Sequence, residues 1–160
     1  MEMSPSPRVA LDDMVRWLIG REVEAAGLFL NSLRLSIDGY FGANTGMFLW
    51  FDPVWHLGSY RGVLVGSRQA QAEESDAQGA MNQLVQELVG KRIEGVAVEA
   101  LTNDIDVRFS GGYWVRTFVS DPESDYNWYF RDRRIDLSVY GSAKGLRFRN
   151  SAPASQDKAL

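Results

Sequence analysis

The chain contains no cysteine and only one histidine, His56. Without cysteine there is no disulfide, no thiol nucleophile and no thiolate metal site. His56 lies between Trp55 and Leu57, where a structural role is favoured over catalysis. The sequence also lacks a Gly-x-Ser-x-Gly elbow, a Walker-type phosphate loop and a Gly-x-Gly-x-x-Gly fingerprint. We therefore predict that the protein is not an enzyme and has no catalytic residue, no cofactor and no metal site.

Calcium binding is the one metal function with partial support in the sequence. Asp121, Glu123 and Asp125 have the spacing of the first half of a calcium loop. However, Tyr126 occupies the position that needs glycine, and Asp132 stands where a bidentate glutamate is usual. We interpret this segment as a solvated acidic loop.

Basic charge and long apolar runs are also scarce. The formal net charge of −4 argues against nucleic-acid binding, which needs a large basic field. No window approaches the run of about 18 apolar residues that a membrane helix requires. The first residues contain neither the basic start nor the apolar stretch of a secretory signal. We predict a cytoplasmic protein that does not associate with membranes.

Two stretches of the sequence resemble each other, Leu18–Gly39 and Leu88–Gly111. An offset of 70 positions aligns Gly20 with Gly90, and an offset of 72 aligns the alternating apolar residues that follow. Those residues are Leu33, Leu35 and Ile37 in the first copy and Ile105, Val107 and Phe109 in the second. The change of offset predicts a hairpin turn that is two residues longer in the second copy. Two unrelated helix–strand junctions of similar chemistry are the alternative.

The repeat predicts the fold class. Each copy follows an amphipathic helix that should end near its left-handed glycine. We predict an α+β fold of two pseudo-symmetric repeats, each one helix followed by an antiparallel β-meander, packed as one compact body. The repeats span 10–67 and 80–150, a polar linker covers 68–79, and 1–9 and 151–160 are flexible tails. Met47–Phe51 is apolar on both faces, which indicates a central strand or a surface that a partner buries.

The segment from Tyr126 to Asn150 is basic, with six arginine or lysine residues against two aspartates. Aromatic and arginine side chains carry most hot spots of protein–protein interfaces. We therefore predict an unknown protein partner that contacts Tyr126, Trp128, Arg131, Arg133 and Arg134. Two alternatives stay open: Trp128 and Phe130 belong to the core while the arginines confer solubility, or the segment stacks on single-stranded nucleic acid.

Turn and core positions of the second repeat form a pattern: Leu88-x-Gly90, Ile93, Asp104-Ile105-x-Val107-x-Phe109, Gly111 or Gly112, Glu123 and Trp128. This pattern resembles a group of small bacterial β-rich proteins of unknown function, some of which are immunity proteins encoded beside polymorphic toxins. The resemblance implies a non-catalytic, protein-binding role of the immunity type. It transfers no functional residue to this chain.

A small-ligand-binding protein is the second functional hypothesis. Its pocket would lie between the two repeats, where ligand sites often form. The lining would be Trp50, Trp55, Tyr113 and Trp114. A homodimer through an exposed sheet edge or an apolar face is also compatible with the sequence.

Overall fold

A computed structural model of the chain describes residues 7–37, 46–68 and 75–150. These ranges contain two helices, α1 Pro7–Leu18 and α2 Ser75–Gln86. The strands are β1 Val23–Phe29, β2 Ser32–Ile37, β3 Met47–Phe51, β4 Trp55–Ser59, β5 Gly62–Gly66, β6 Ile93–Val98, β7 Ile105–Phe109, β8 Trp114–Thr117, β9 Trp128–Asp132, β10 Leu137–Ser142 and β11 Gly145–Asn150. Most of the predicted tails and part of the predicted linker lie outside the described residues. Helix α2 begins inside that linker.

The strands form two antiparallel sheets. The six-stranded sheet has the order β1-β2-β3-β9-β10-β11, and the five-stranded sheet has the order β5-β4-β8-β7-β6. Each sheet therefore combines strands from both halves of the chain. The predicted α+β class of two helix-plus-meander repeats is wrong, because the protein is mostly β and neither half closes a sheet of its own.

Two connections take the chain from one sheet to the other, so neither half forms a meander of its own. Between β3 and β4 only Asp52–Val54 intervenes, and this segment takes the chain from one sheet to the other. Pro53 has no N–H group and cannot extend the ladder of β3. The longer segment Phe118–Asn127 returns the chain from β8 to β9. Because each half changes sheet once, the two halves exchange their later strands.

The strand registers place the inward rows of the two sheets at corresponding positions. In the six-stranded sheet Leu35 lies opposite Leu49, which lies opposite Phe130. The corresponding row of the five-stranded sheet is Val107, Val115 and Leu57. All six side chains are fully buried. Chemically similar residues therefore fill the interior from both sheets.

The segments around the two repeat glycines pair with each other. Gly20 N–H donates to the Ile93 carbonyl at 2.7 Å, and Gly90 N–H donates to the Val23 carbonyl at 2.8 Å. Both glycines have positive φ, +84° and +85°, which confirms the predicted left-handed conformation.

The turns that follow differ in length. Four residues separate the paired Leu28 and Leu33, whereas six separate Val98 and Ile105. This difference confirms that the second hairpin turn is longer by two residues.

The two sheets enclose one hydrophobic core. Helix α1 packs against β6, β10 and β11, and α2 packs against β1 and β5. Met14 and Leu18 of α1 and Val85 of α2 are fully buried in the same core as the inward strand residues. Burial of apolar surface is the main stabilising contribution of this arrangement.

Candidate partner-binding face

One row of residues crosses all six strands of the larger sheet. It consists of Gly27, Arg34, Trp50, Tyr129, Tyr140 and Arg147, each paired with the next across neighbouring strands. Successive residues of a strand point to opposite faces, and the adjacent Leu35, Leu49 and Phe130 point into the core. The row therefore lies on the outer face. We call this outer surface the aromatic face, and its members are Phe29, Arg34, Phe48, Trp50, Tyr126, Tyr129, Arg131, Tyr140, Arg147 and Arg149.

The rings of the aromatic face contact one another. Tyr129 lies at the centre, with its ring centroid 5.9 Å from that of Trp50, 5.5 Å from Phe48, 5.1 Å from Tyr126 and 5.6 Å from Tyr140. Such ring pairs contribute about 0.5–1.5 kcal/mol beyond the burial of their area. The rings therefore hold each other in place, and a partner that binds them orders few side chains that were mobile before.

Arginines lie over the rings at both sides of this surface. The Arg34 guanidinium is 5.3 Å from the centroid of Phe29 and 5.5 Å from that of Phe48. On the opposite side, the Arg147 guanidinium is 5.9 Å from the centroid of Tyr140. These are cation–π distances. The Arg34 guanidinium is therefore positioned by the aromatic rings, whereas Arg147, which is exposed, also donates a hydrogen bond to the Asp125 carbonyl.

Asp52 orients the indole of Trp50. Its Oδ1 atom accepts hydrogen bonds from Trp50 Nε1 at 2.6 Å and from the Ser32 hydroxyl at 2.7 Å. A hydrogen bond with a charged acceptor is stronger than one between neutral groups. The Trp50 ring is therefore fixed by a polar contact at one end and by Tyr129 at the other.

Burial on this face raises the pKa of Tyr129 to about 12, and the nearby Tyr126, Asp52 and Tyr140 add to the increase while Arg34 opposes it. The pKa of Tyr126 is also raised, mainly by burial and then by the charge of Asp52. At neutral pH both phenols are therefore protonated. Each can donate a hydrogen bond to a partner.

This pKa increase predicts a loss of stability at alkaline pH. Between pH 10 and about 12 the folded protein keeps the Tyr129 proton, whereas the unfolded chain releases it. Stability therefore falls as pH rises through this window, by about 1 kcal/mol after allowance for partial exposure of the phenol. We expect the urea midpoint of Tyr129→Phe to fall less from pH 9 to pH 11 than that of the natural protein. Tyr60→Phe is the control, because Tyr60 is exposed. If both variants changed the pH dependence of the urea midpoint equally, the loss of stability could not be attributed to the raised pKa of Tyr129.

Among the residues predicted from the sequence, the structure brings Tyr126 and Arg131 onto the aromatic face. Arg131 donates to the Ser138 hydroxyl at 3.0 Å and to Asp136 at 2.9 Å. Arg133 and Arg134 lie beyond it in the turn between β9 and β10, both exposed. Arg134 is held by the buried carboxylate of Asp132 through Nε at 3.0 Å and a terminal nitrogen at 2.9 Å.

Trp128 requires a correction, because its side chain is fully buried and does not reach the surface. Its indole N–H donates to the Asn103 carbonyl at 2.7 Å on the inner side of the sheet. Phe130 is fully buried as well. The alternative that placed both residues in the core is therefore confirmed. Trp128 is removed from the set of partner-binding candidates.

Sequence reasoning missed most of the aromatic face. The missed members are Phe29, Arg34, Phe48, Trp50, Tyr129, Tyr140, Arg147 and Arg149. Alternation along β2 indicates that Arg34 points away from its core neighbours Leu33 and Leu35, whereas β3 is apolar on both faces and gives no such signal for Trp50. Their common location also depends on the pairing of β3 with β9, which no local pattern indicates.

The predicted aromatic ligand pocket is not formed by its four proposed residues. Trp55 is fully buried in the core, and Trp50 belongs to the aromatic face. Trp114 lies on the outer side of the five-stranded sheet, where its indole N–H donates to the Ser59 carbonyl at 3.2 Å. Tyr113 lies under the Lys91 ammonium at 5.4 Å. These side chains do not converge on one cavity.

A groove of about 400 Å³ is present at one end of the five-stranded sheet instead. Its lining includes Asp104, Asp106, Arg116 and Phe118. Asp106 Oδ2 accepts from Arg116 at 2.8 Å, whereas its buried Oδ1 atom has no hydrogen-bond partner. The groove is therefore mixed in polarity and unlike the aromatic cleft that the sequence suggested.

The outer face of the five-stranded sheet provides a comparison within the same molecule. Its row Asp106, Arg116 and His56 occupies the register positions that Arg34, Trp50 and Tyr129 occupy in the larger sheet. The inward rows of the two sheets are alike, but these outward rows differ in charge and in ring content. The fold therefore does not require the aromatic face, since the equivalent surface is built without it.

Within the described ranges, no group of three or more histidine or acidic residues could hold a metal ion. The acidic segment is open to solvent, with the Glu123 and Asp125 side chains 86% and 81% exposed. In the same part of the chain, neither helix has the length and apolar content needed to traverse a lipid bilayer.

Comparison of the chain with family models, curated proteins and solved structures gives no match. The resemblance to immunity proteins therefore stays a prediction.

Proposed function

We propose that the protein is a non-enzymatic binding module that recognises another protein through its aromatic face. The observation that carries this proposal is the row from Arg34 to Arg147, in which three aromatic residues on adjacent strands lie between two arginines. Tryptophan, tyrosine and arginine are the residues most enriched in interface hot spots. The immunity-type inhibition implied by the sequence resemblance is one role that such a module could serve.

The dimensions of the face support a protein partner. Six strands at a spacing of about 4.8 Å extend roughly 24 Å across the sheet. A standard interface covers about 800 Å² on each partner, with aromatic residues and arginine enriched at its centre. The aromatic face has the width and composition of such a centre.

The energetic argument rests on an exposed surface that burial would stabilise. Trp50, Tyr129 and Tyr140 are only partly buried in the isolated chain. Their rings are already ordered by mutual contact and by Asp52. Covering them removes apolar area from water at about 25 cal/mol per Å² without a large loss of side-chain freedom.

The test is quantitative affinity capture from a lysate of the source cells, with the full chain immobilised. We expect at least one protein to be retained by the natural chain and lost by the double variant Trp50→Ala/Tyr140→Ala. Each truncation of a hot spot costs about 2 kcal/mol, roughly 30-fold in Kd. Purified partner is then titrated against both chains by calorimetry.

Trp114→Ala on the five-stranded sheet is the matched control, because Trp114 is also a partly buried outer tryptophan. It should retain the same protein with unchanged Kd. Near-ultraviolet circular dichroism verifies that all three chains are folded. If no retained protein distinguishes the double variant from this control, the proposed function is wrong.

A further inference from the structure

We infer that the partner segment that lies on the aromatic face is rich in proline and adopts the extended polyproline II conformation. This inference rests on the proposed function and adds the chemistry of the partner to it. It is carried by three neighbouring tyrosines, Tyr126, Tyr129 and Tyr140, whose hydroxyl groups lie above strands with a fully paired backbone.

The three tyrosines form one cluster. The ring centroid of Tyr126 is 5.1 Å from that of Tyr129 and 6.1 Å from that of Tyr140, and the centroids of Tyr129 and Tyr140 are 5.6 Å apart. All three side chains are partly buried. Within the described ranges, none of their hydroxyl groups forms a hydrogen bond with another residue. Each hydroxyl is therefore a donor that a bound partner can engage.

The other polar groups at the centre of the face are already engaged. Strands β3, β9 and β10 each pair with a neighbour on both sides, so their N–H and carbonyl groups belong to the ladders. The Trp50 indole N–H donates to Asp52 Oδ1 at 2.6 Å. The donors that remain at this centre are the tyrosine hydroxyls, and a partner that covers them has to supply acceptors.

An extended proline-rich segment supplies such acceptors. The polyproline II conformation has no internal hydrogen bonds, so its carbonyl groups stay free, whereas those of a helix or a sheet are engaged internally. Proline also has no N–H group, so it brings no donor that the paired backbone of the sheet would leave without an acceptor. Aromatic surfaces bind such segments at a low entropic cost, because the segment is extended before it binds.

The spacing of the rings matches the repeat of this conformation. Trp50, Tyr129 and Tyr140 belong to three adjacent strands, β3, β9 and β10. Two strand spacings separate Trp50 from Tyr140, which corresponds to roughly 10 Å. Three residues of a polyproline II helix rise by about 9 Å and complete one turn. Prolines three residues apart therefore contact Trp50 and Tyr140, and the carbonyl groups between them lie over Tyr129.

Two other occupants fit the face less well. A second copy of this chain would have to present a proline-rich segment, but none of its five prolines lies three residues from another. A single-stranded nucleic acid also stacks on aromatic rings, but its phosphates would approach a chain with a net charge of −4. A proline-rich protein segment fits both the free donors and the spacing of the rings.

The experiment is a selection from a random dodecapeptide display library against the full chain. We expect the selected peptides to be enriched in pairs of prolines three residues apart. Calorimetric titration of a selected peptide should show binding about 30-fold weaker to Trp50→Ala than to the natural chain. Tyr129→Phe keeps the ring and removes only the hydroxyl, so binding should weaken about 5-fold. Replacement of both prolines of the peptide by alanine should weaken binding roughly tenfold.

Trp114→Ala and Tyr60→Phe are the matched controls, because both residues lie outside the aromatic face. Selected peptides should bind these variants as they bind the natural chain. A single-stranded oligothymidylate is tested as a competitor, and tighter binding of this oligonucleotide than of the peptides overturns the inference in favour of nucleic acid. Tight self-association that is lost in Trp50→Ala overturns it in favour of a second copy.

The outcomes also separate the inference from the proposed function. If the selected peptides lose binding in Trp50→Ala but show no enrichment of proline, the face binds proteins and the proline-rich partner is wrong. If proline-rich peptides bind Trp50→Ala and Tyr129→Phe as they bind the natural chain, the inference is also wrong. The proposed function fails only if the capture experiment retains no protein that depends on Trp50 and Tyr140.

Discussion

Replacement of Trp128 by alanine is expected to lower the free energy of unfolding by about 3–5 kcal/mol. Trp128 is among the largest fully buried side chains, and its removal leaves a cavity between β9 and the core. The change also removes the indole N–H group, which donates a hydrogen bond to the Asn103 carbonyl at 2.7 Å. Urea unfolding followed by far-ultraviolet circular dichroism measures the loss.

Trp50→Ala is the matched control, because Trp50 lies on the neighbouring strand β3 but points outward. We expect it to cost about 1 kcal/mol, mainly from lost ring contacts. Trp128→Phe should fall between the two, since it keeps most of the volume but loses the N–H donor and part of the indole ring. Equal costs for Trp128→Ala and Trp50→Ala would show that the inward and outward assignments are wrong.

Replacement of Gly141 by valine is expected to destabilise the protein by about 3 kcal/mol, the upper end for overpacking. Valine has a higher intrinsic preference for strands than glycine. Propensity alone would therefore predict that this substitution stabilises the protein. Gly141 lies directly opposite Trp128, and a Cβ atom added there would overlap the indole ring. Because the indole is fixed in the core, it has no space into which it can move. Chemical denaturation measures the effect.

Gly27→Val provides the control for this substitution in the same sheet. A Cβ atom at Gly27 would meet only the Phe29 ring, at 3.6 Å, which is an ordinary contact. We expect no loss of stability there. The double variant Gly141→Val/Trp128→Phe should cost less than the sum of its single changes, because the overlap disappears with the indole. Additive costs would contradict an overlap between these two residues.

The inward strand residues could be predicted from the sequence because their pattern is local. Leu33, Leu35 and Ile37 alternate with polar or small residues, and each is fully buried. Alternation follows from the geometry of a single strand, whatever its partner. The same applies to Gly20, whose positive φ belongs to the turn that follows a helix.

The fold class could not be predicted in the same way. The repeated pattern predicts equivalent strands that pair within each half. In the structure β3 pairs with β9 and β4 with β8. Strand β4 itself, with the outward His56, was not predicted at all. Pairing is decided by which surfaces become buried together, and that depends on both halves at once.

The candidate site also contains some residues that the sequence indicates and others that only strand pairing brings together. Tyr126 and Arg131 were found because a basic, aromatic segment stands out in composition. The prediction that Trp128 contacts a partner was wrong, because composition does not show to which face of a strand a side chain points. Trp50 and Tyr129 stack with centroids 5.9 Å apart only because distant strands are neighbours in the sheet.

By itself, the sequence determined the inward residues of the strands, the left-handed glycines and the difference in turn length, since each follows from backbone geometry over a few residues. Only the tertiary structure decided that the two halves exchange strands and that aromatic rings and arginines from six strands share one outer face. The physical reason is that pairing between distant strands depends on the free energy of burying both halves together. This free energy cannot be predicted from any short segment of the sequence.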